Sequence, residues 1–408
     1  MIQLTTLDAL YSPKQQQILK RSRESDWFLM INHGAVRAGK TVIDNDVFLM
    51  ELLRAKKNAE EDGNDPMYIL GATSAGTLYT NVLKEISSKY DVEFKFDKYN
   101  NFTLFGVYVV TTYTGNIGGL RAIRGMTSYG AYINEMSLAD KEVFDEIVKR
   151  CSGTGARILG DTNPDQPNHW LKVDYIDKAD GKTIIEHNFT IFDNPFLSKR
   201  YVDNLISTTP SGVFTERGIF GRWTSGEGAV YRDFSLEENV ITRDQLDDIQ
   251  MKRYFAGVDF GYDHYGAMLV VGEDFNENFY LIEEHAYRHT FIDEWIEIAK
   301  GIKERYGNIK FFSETARPEY IAELKRNGIR SIKADKNRLS GVEEVAKLFK
   351  RNKLFVLYDE MDRFKDEIFK YSWNEKTGEP IKEYDDVLDA LRYAIYSHLK
   401  RSPLSILK

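Results

Sequence analysis

The chain has 408 residues, more than one hydrophobic core usually supports, so we expect two domains. Hydrophobic residues make up 42% of the sequence, enough to fill both cores, and a single cysteine, Cys151, excludes an intramolecular disulfide and a multi-cysteine zinc site. The net charge of −8 argues against a globally basic nucleic-acid binder but is compatible with a locally basic channel.

The sequence carries no sign of a membrane or secretory protein. Lys14, Lys20 and Arg21 interrupt the short apolar runs near its start, so the pattern of a signal peptide is not met. No apolar run is long enough to cross a bilayer. With one cysteine, which suits a reducing compartment, these features predict a cytoplasmic protein.

A phosphate-binding loop follows the first predicted strand, 27–32. Residues 34–41 read Gly-Ala-Val-Arg-Ala-Gly-Lys-Thr, the complete GxxxxGK[ST] pattern, and a helix-like segment comes next. Glycines let successive main-chain N–H groups turn toward one centre, where they cradle a phosphate with the helix N-terminus. Lys40 would reach the β- and γ-phosphates and Thr41 would bind Mg²⁺. The sequence therefore predicts ATP binding by Gly34, Arg37, Ala38, Gly39, Lys40 and Thr41.

A weaker signal for the base lies upstream of the loop. Gln15, in the run from Tyr11 to Gln17, has an amide whose donor and acceptor match an edge of adenine. A solvated helix N-terminus explains the same run equally well. We predict Gln15 as a nucleotide contact on the strength of the neighbouring loop.

The first half of the chain has the alternation of an α/β sheet. Short β-rich runs alternate with helix-compatible segments, which is typical of a mainly parallel sheet with flanking helices. The predicted strands are 27–32, 67–72, 107–112, 131–133 and 156–160.

An acidic position needed for ATP hydrolysis follows the fourth of these strands. Asn134 and Glu135 end the apolar run, and we predict Glu135 as the base that orients the attacking water. Asn134 occupies the position at which an acidic residue usually stabilises the metal ion. Because its side chain is a neutral amide, it can offer a carbonyl oxygen to a metal-bound water but no charge. Without the upstream loop, an ordinary strand-to-loop turn would explain this pair.

Three further residues are candidates for contact with the γ-phosphate. Arg37 lies inside the loop and Arg124 precedes the acidic strand, and a planar guanidinium of either residue can neutralise transition-state charge. Arg124 would act on a neighbouring subunit's site, and a solvated arginine remains an alternative for both. Asn163 follows the strand 156–160, where ligands of open α/β sheets bind, and suits a γ-phosphate sensor.

A change of composition marks the domain boundary. Residues 214–233 are rich in glycine and aromatic residues, and Ser225-Gly226-Glu227-Gly228 is the most flexible point. We therefore predict an ATPase domain over 1–213, a linker over 214–250 and a second domain over 251–408.

The second domain shows three consecutive β-rich runs followed by alternating helices and strands, which is RNase H-like order. Carboxylates close two of its strands, Asp259 after 254–258 and Glu314 after 310–313. A third set lies at the start of the last helix, where Asp385, Asp386 and Asp389 fall opposite an apolar stripe. Acids from three separate elements can converge to hold two Mg²⁺ or Mn²⁺ ions for phosphodiester hydrolysis. Helix capping and a favourable helix-dipole charge are the alternative for Asp385 and Asp386, and we expect capping at least for Asp385.

These motifs together resemble the large terminase subunit of tailed bacteriophages, in order and over nearly the whole chain. The segments that carry the resemblance are 34–41, Asn134-Glu135, Thr162-Asn163-Pro164 with His169-Trp170, 227–231, 258–261 and 386–393. That family joins a DNA-translocating ATPase to an RNase H-like nuclease that cuts concatemeric viral DNA.

The resemblance implies metal ligands and partners that the residues alone do not specify. It implies Asp259, Glu314 and Asp389 as ligands, with Asp386 where several members carry histidine. It also implies double-stranded DNA, a small terminase subunit, the portal protein of the procapsid and a ring, usually of five subunits, in the host-cell cytoplasm.

Two other interpretations stay open at this point. One is a cellular P-loop helicase or translocase whose second domain only binds DNA. The other is a nucleotide-dependent assembly scaffold without nuclease activity. Metal-dependent cleavage of DNA would separate the terminase interpretation from both.

Overall fold

The computed structural model describes residues 6–401 of the chain. Within this range the chain divides into two compact units, residues 6–206 with 215–224 and residues 207–214 with 225–401. The segment predicted as a linker is thus shared, because 215–224 belongs to the first unit and 225–250 to the second. None of the helices in the described range is long and apolar enough to cross a membrane.

The first unit is built on a seven-stranded sheet in the order β3-β4-β2-β5-β6-β1-β7. All neighbouring strands are parallel except β3 and β4, which form an antiparallel edge. The strands are β1 Leu29–Gly34, β2 Met67–Ala72, β3 Phe102–Leu104, β4 Val107–Tyr113, β5 Gly130–Ile133, β6 Arg157–Thr162 and β7 Ile184–Phe189.

Helices cover both faces of this sheet. Alternate residues of the strands point to opposite faces, so Met30 and Leu159 join one buried cluster while Ile31 and Ile158 join the other. The helices of this unit are α1 Thr6–Leu10, α2 Pro13–Glu24, α3 Lys40–Glu61, α4 Ala75–Leu78, α5 Lys84–Tyr90, α6 Leu120–Ile123, α7 Lys141–Arg150 and α8 Trp170–Asp174. Helices α9 Lys199–Thr208 and α10 Val213–Gly218 lie in the stretch where the assignment changes between units.

The order of the strands brings three loops together at one edge of the sheet. Strand β6 lies between β1 and β5, with Asn32 opposite Asp161 and Ile133 opposite Gly160. The carboxyl ends of parallel strands meet at the same edge. The phosphate loop, the Asn134-Glu135 turn and the segment after Asp161 are therefore neighbours.

The second unit contains a six-stranded sheet in the order β12-β11-β8-β9-β10-β13. Strands β8, β9 and β10 are antiparallel, whereas β11 lies parallel to β8, β12 parallel to β11 and β13 parallel to β10. This is the RNase H-like order that the sequence predicts. The strands are β8 Met251–Asp259, β9 Gly266–Asp274, β10 Phe279–Tyr287, β11 Lys310–Ser313, β12 Ser331–Lys333 and β13 Leu354–Val356.

The last helix of this unit packs closely on strand β8. A side chain at Gly257 would place its Cβ 1.9 Å from the Ala390 carbonyl oxygen, so glycine is needed for this approach. The sequence predicts a helix with one apolar face and one exposed acidic face. In the structure the helix is buried on most sides, and Asp386 on the acidic face is only 8% exposed. The helices are α11 Arg243–Asp247, α12 Ile292–Tyr306, α13 Pro318–Arg326, α14 Arg338–Lys350, α15 Asp362–Glu367 and α16 Asp386–Lys400.

Candidate active sites

The phosphate loop joins β1 to α3 and encloses the side chain of its own lysine. The Lys40 ammonium group donates hydrogen bonds to the carbonyl oxygens of Gly34 and Ala35, at 2.9 and 2.6 Å. It also donates to Asn163 Oδ1 at 3.1 Å, so the predicted phosphate sensor lies beside the loop. Burial lowers the pKa of Lys40 from 10.5 to about 8, against the opposing effect of nearby Asp161 and Asp44.

Two amide side chains hold the loop from outside. Gln15 Nε2 donates to the Gly39 carbonyl oxygen at 2.8 Å, and Asn194 Nδ2 donates to the Arg37 carbonyl oxygen at 2.7 Å. Gln15 Oε1 meanwhile accepts the Ser12 N–H at 2.8 Å, so both ends of this amide are engaged within the protein. Its contact with adenine stays a prediction, whereas its contact with the loop is direct.

The predicted base lies at the end of β5 in a strained position. Glu135 has φ of +57°, the left-handed conformation that side chains other than glycine seldom adopt. Its carboxylate accepts a 3.4 Å hydrogen bond from the Thr73 hydroxyl. Burial, and then the charge of Asp161, raise the pKa of Glu135, which makes its carboxylate a stronger base.

A cavity of about 490 Å³ opens over these residues and is large enough for a nucleotide. Arg37 lines it from the loop, whereas Arg124 is exposed and is not among the lining residues. The lining comprises 36–42, Asn45, Thr80, Asn81, Glu85, Asn134, Glu135, 161–163, Asn194 and Leu197. Apart from Gly34, which does not line the cavity, the residues predicted to bind phosphate, Mg²⁺ and water therefore face one space.

This cavity also contains a buried carboxylate that the sequence patterns did not indicate. Asp161, the penultimate residue of β6, is 2% exposed and accepts hydrogen bonds from Asn134 Nδ2 and the Glu135 N–H at 2.8 and 3.0 Å. Burial raises its pKa, while a contact with the Thr41 hydroxyl works against that rise. Its place beside Asn163, at a strand end, was the signal that could have identified it.

In the second unit the predicted acids gather around Asp259. Asp259 ends β8, and Glu314 follows the neighbouring strand β11, where its N–H donates to the Val258 carbonyl oxygen at 2.9 Å. Burial raises the pKa of Asp259 well above its usual range, and the charges of Asp389, Glu314, Asp386 and Asp385, in that order, raise it further. Four carboxylates from two other elements are thus close to the first.

Arginines that the sequence analysis missed hold the three aspartates at the start of α16. Arg392, which is 2% exposed, contacts both oxygens of Asp389 at 3.1 and 2.9 Å. Arg363 lies 3.2 Å from Asp386, and Arg338 lies 2.8 Å from Asp385. Among residues 6–401, no three His, Cys, Asp or Glu side chains are arranged around a common ion position.

Comparison with known proteins identifies the family. A family model described as "Terminase large subunit, T4likevirus-type, N-terminal" matches residues 32–238, about half of the chain. The structure of the large terminase from a thermophilic bacteriophage (crystal form 2) is similar with 25% identity and a TM-score of 0.79, and the alignment covers 95% of this chain and 98% of that one.

Two complexes of the same phage protein, with ADP and with ATP-γ-S, are similar with 26% identity and TM-scores of 0.77 and 0.74. Each alignment covers 94% of this chain and 98% of the other. No curated protein sequence matches. The predicted fold class, a P-loop ATPase domain followed by an RNase H-like domain, is confirmed by this likeness over nearly the whole length. The chain belongs to the terminase large subunit family.

Proposed function

We propose that this protein is the motor and nuclease of a phage DNA-packaging machine. It would hydrolyse ATP to move double-stranded DNA into a procapsid, and it would cut concatemeric DNA. The observation that carries this proposal is the cavity in which Lys40, Asn163 and Glu135 meet, together with a separate group of carboxylates in the second unit. The similar large terminase from the thermophilic phage was captured with ADP and with ATP-γ-S, which supports a nucleotide in this cavity.

At the motor site each residue has a defined task. Lys40 would leave the carbonyl oxygens of the loop for the phosphates, and the loop N–H groups would bind the β-phosphate. Glu135 would hold a water molecule for attack on the γ-phosphate. Thr41 would hold Mg²⁺, which, when bound, neutralises charge on the phosphates. Arg37 or, from a neighbouring subunit, Arg124 would stabilise the transition state.

At the nuclease site the chemistry of the donors fits two hard cations. Asp259, Glu314, Asp386 and Asp389 offer carboxylate oxygens, the ligands that Mg²⁺ and Mn²⁺ prefer. When bound, the ions supply an activated water and charge stabilisation at the leaving oxygen. Asp386 pairs with Arg363 and Asp389 with Arg392. To bind a metal ion, each carboxylate would release its arginine or contact the arginine and the ion together.

Membership of the family supports a proposal for the partners and the location. We propose double-stranded DNA as substrate, a small terminase subunit and the portal protein as partners, and a pentameric ring in the host cytoplasm during packaging. The motor would occupy the predicted domain 1–213 and the nuclease the predicted domain 251–408, joined by 214–250.

Two assays on the purified full-length protein test the proposal. We expect ATP turnover that linear double-stranded DNA stimulates, and nicking of a supercoiled plasmid with Mn²⁺ or Mg²⁺ that EDTA abolishes. A helicase or translocase with a non-catalytic second domain would hydrolyse ATP and leave the plasmid intact. A nucleotide-dependent scaffold would bind ATP and show neither DNA-stimulated turnover nor nicking.

A further inference from the structure

The nucleotide site raises a question about charge. A magnesium ion bound to phosphates and to the hydroxyl of a P-loop Thr is normally steadied by a carboxylate at the end of a neighbouring strand. In this chain the residue before the predicted base is the neutral Asn134. A negative charge must therefore come from elsewhere in the cavity or be absent.

Asn134 is not free to act on a metal-bound water itself. Its Oδ1 accepts a hydrogen bond from Asn81 Nδ2 at 3.0 Å, and its Nδ2 donates to Asp161 Oδ1 at 2.8 Å. The residue is 1% exposed. Both ends of its amide are thus used inside the protein, and one of them binds the carboxylate on the adjacent strand.

Asp161 has the position and the free oxygen that the task requires. Of the carboxylates that line the cavity, Glu85 is exposed and Glu135 is half-buried, whereas Asp161 is 2% exposed. Asp161 Oδ1 is occupied by Asn134 and the Glu135 N–H. Its other oxygen, Oδ2, is buried and accepts no hydrogen bond from any residue in the range 6–401.

The carboxyl group of Asp161 also contacts the predicted metal ligand. It interacts with the hydroxyl group of Thr41, in the first turn of α3, because β6 lies directly beside β1 in the sheet. An unpaired buried carboxylate oxygen is costly unless a cation compensates it. The compensation available within the protein, the Lys40 ammonium group, would move to the phosphates when nucleotide binds.

We propose that Asp161, at the end of β6, supplies the carboxylate for the magnesium ion of the nucleotide site, in place of the neutral Asn134 at the end of β5. Asn134 is then a positioning residue that holds Asp161 through its amide. The inference rests on the proposed ATPase function. In the usual arrangement the residue before the catalytic base carries the charge. Here the carboxylate lies on β6 and the amide follows β5.

The test measures metal-dependent nucleotide affinity and needs no turnover. ADP affinity is determined by calorimetry with Mg²⁺ and with EDTA, and the ratio of the two dissociation constants gives the effect of the metal. The variants are Asp161→Asn, Asn134→Asp and the double exchange Asn134→Asp/Asp161→Asn. Asp145→Asn is the matched control, because it removes a partly exposed carboxylate that pairs with Lys141 outside the cavity.

We expect Asp161→Asn to reduce the effect of Mg²⁺ about tenfold or more and the double exchange to recover most of it, since one carboxylate and one amide again face each other. Asn134→Asp alone sets two carboxylates at hydrogen-bond distance and should weaken binding in EDTA. Mn²⁺ bound with ADP, followed by electron paramagnetic resonance, should show the same order of affinities.

An undiminished effect of Mg²⁺ in folded Asp161→Asn would overturn the inference, and the motor site would stand. If Asp161→Asn does not fold, Asp161→Glu decides, because it keeps the negative charge and displaces the carboxylate by one methylene group. A changed effect of Mg²⁺ and a changed Mn²⁺ spectrum support the inference, whereas values equal to those of the parent overturn it. A parent protein that binds no ADP under either condition would overturn the proposed ATPase and the inference with it.

Discussion

The Glu367 carboxylate accepts a 2.9 Å hydrogen bond from the main-chain N–H of Val387, at the first turn of helix α16. The same oxygen accepts the N–H of Leu388 at 3.2 Å. Asp385, which the sequence suggested as the cap of this helix, makes no capping hydrogen bond and pairs with Arg338. Because α16 carries Asp386 and Asp389, Glu367 fixes the start of the helix that holds two candidate metal ligands.

We therefore predict that Glu367→Ala is destabilising by about 1 to 3 kcal/mol, because it leaves two buried N–H groups unpaired. Burial raises the pKa of Glu367 to about 8, so the carboxyl group is already inclined to be neutral. Glu367→Gln, which can still accept through Oε1, should keep most of the stability. Urea unfolding of both variants measures this, and a Glu367→Ala variant as stable as the parent would refute the capping role.

At the motor site we predict that Lys40→Ala and Glu135→Gln fail in different ways. Lys40→Ala should lose affinity for ATP, because the ammonium group that contacts the phosphates is gone. Glu135→Gln should bind ATP normally and lose about 100-fold or more in turnover. Nucleotide titration and phosphate release, measured separately, distinguish the two defects. Lys57→Ala, on the exposed face of α3, is the control. If Glu135→Gln turns over ATP as fast as the parent, Glu135 is not the catalytic base.

The two candidate arginines can be separated by mixing variants under conditions where the ring assembles. A residue that acts on a neighbouring subunit can be supplied by a partner whose own site is inactive. We predict that Arg124→Ala mixed with Lys40→Ala regains ATP turnover that neither has alone, whereas Arg37→Ala does not. Arg121→Ala, exposed on the short helix α6 that ends just before Arg124, is the control. If the mixture of Arg124→Ala and Lys40→Ala assembles into a ring but regains no ATP turnover, Arg37 is the better candidate for stabilising the transition state.

The stability of the first unit should depend on pH through His187. Burial, and then the charge of Arg21, lower the pKa of His187 from 6.5 to about 4, and its Nδ1 lies 2.8 Å from Asn32 Oδ1. Between pH 4 and 6.5, His187 is protonated in the unfolded chain but neutral in the folded one. The free energy of unfolding therefore falls as the pH drops from about 6.5 toward 4. The loss is on the order of 3 kcal/mol.

We predict that His187→Asn, whose amide can still donate to Asn32, flattens this part of the pH profile. Urea midpoints measured from pH 4.5 to 7 test the prediction, with the exposed His289→Asn as control. An unchanged slope in His187→Asn would assign the acid sensitivity to other groups.

The sequence predicts most of the fold because the apolar periods of its long elements are clear. Strands 67–72 and 310–313 and the start of the last helix at Asp386 agree with the structure to the residue. Strands β3 and β12 were missed because each has three residues that include polar ones, whereas the equally short β13 is wholly apolar and was predicted. Strand β7 was missed because Glu186, His187 and Asn188 interrupt its apolar residues, a pattern that an edge strand tolerates.

The candidate sites were predictable where spacing along the chain carries the chemistry. The phosphate loop is such a case, because its geometry is contained in eight consecutive residues. The role of Asp161 depends on β6 lying between β1 and β5, and Arg363, Arg338 and Arg392 find their aspartates through packing. Such partners are set by the tertiary fold, so local sequence patterns cannot reveal them.

We propose that one chain carries two separate sites, an ATPase and a nuclease. The most direct measurement is plasmid nicking and ATP turnover on the same preparations of Asp259→Ala, Glu314→Ala and Asp389→Ala, beside the exposed control Asp293→Ala. Each of the three should lose nicking, because an ion would lack a carboxylate, and should keep ATP turnover near that of the parent. Full nicking by Asp259→Ala or Asp389→Ala would show that these carboxylates do not hold the ions that cleave DNA.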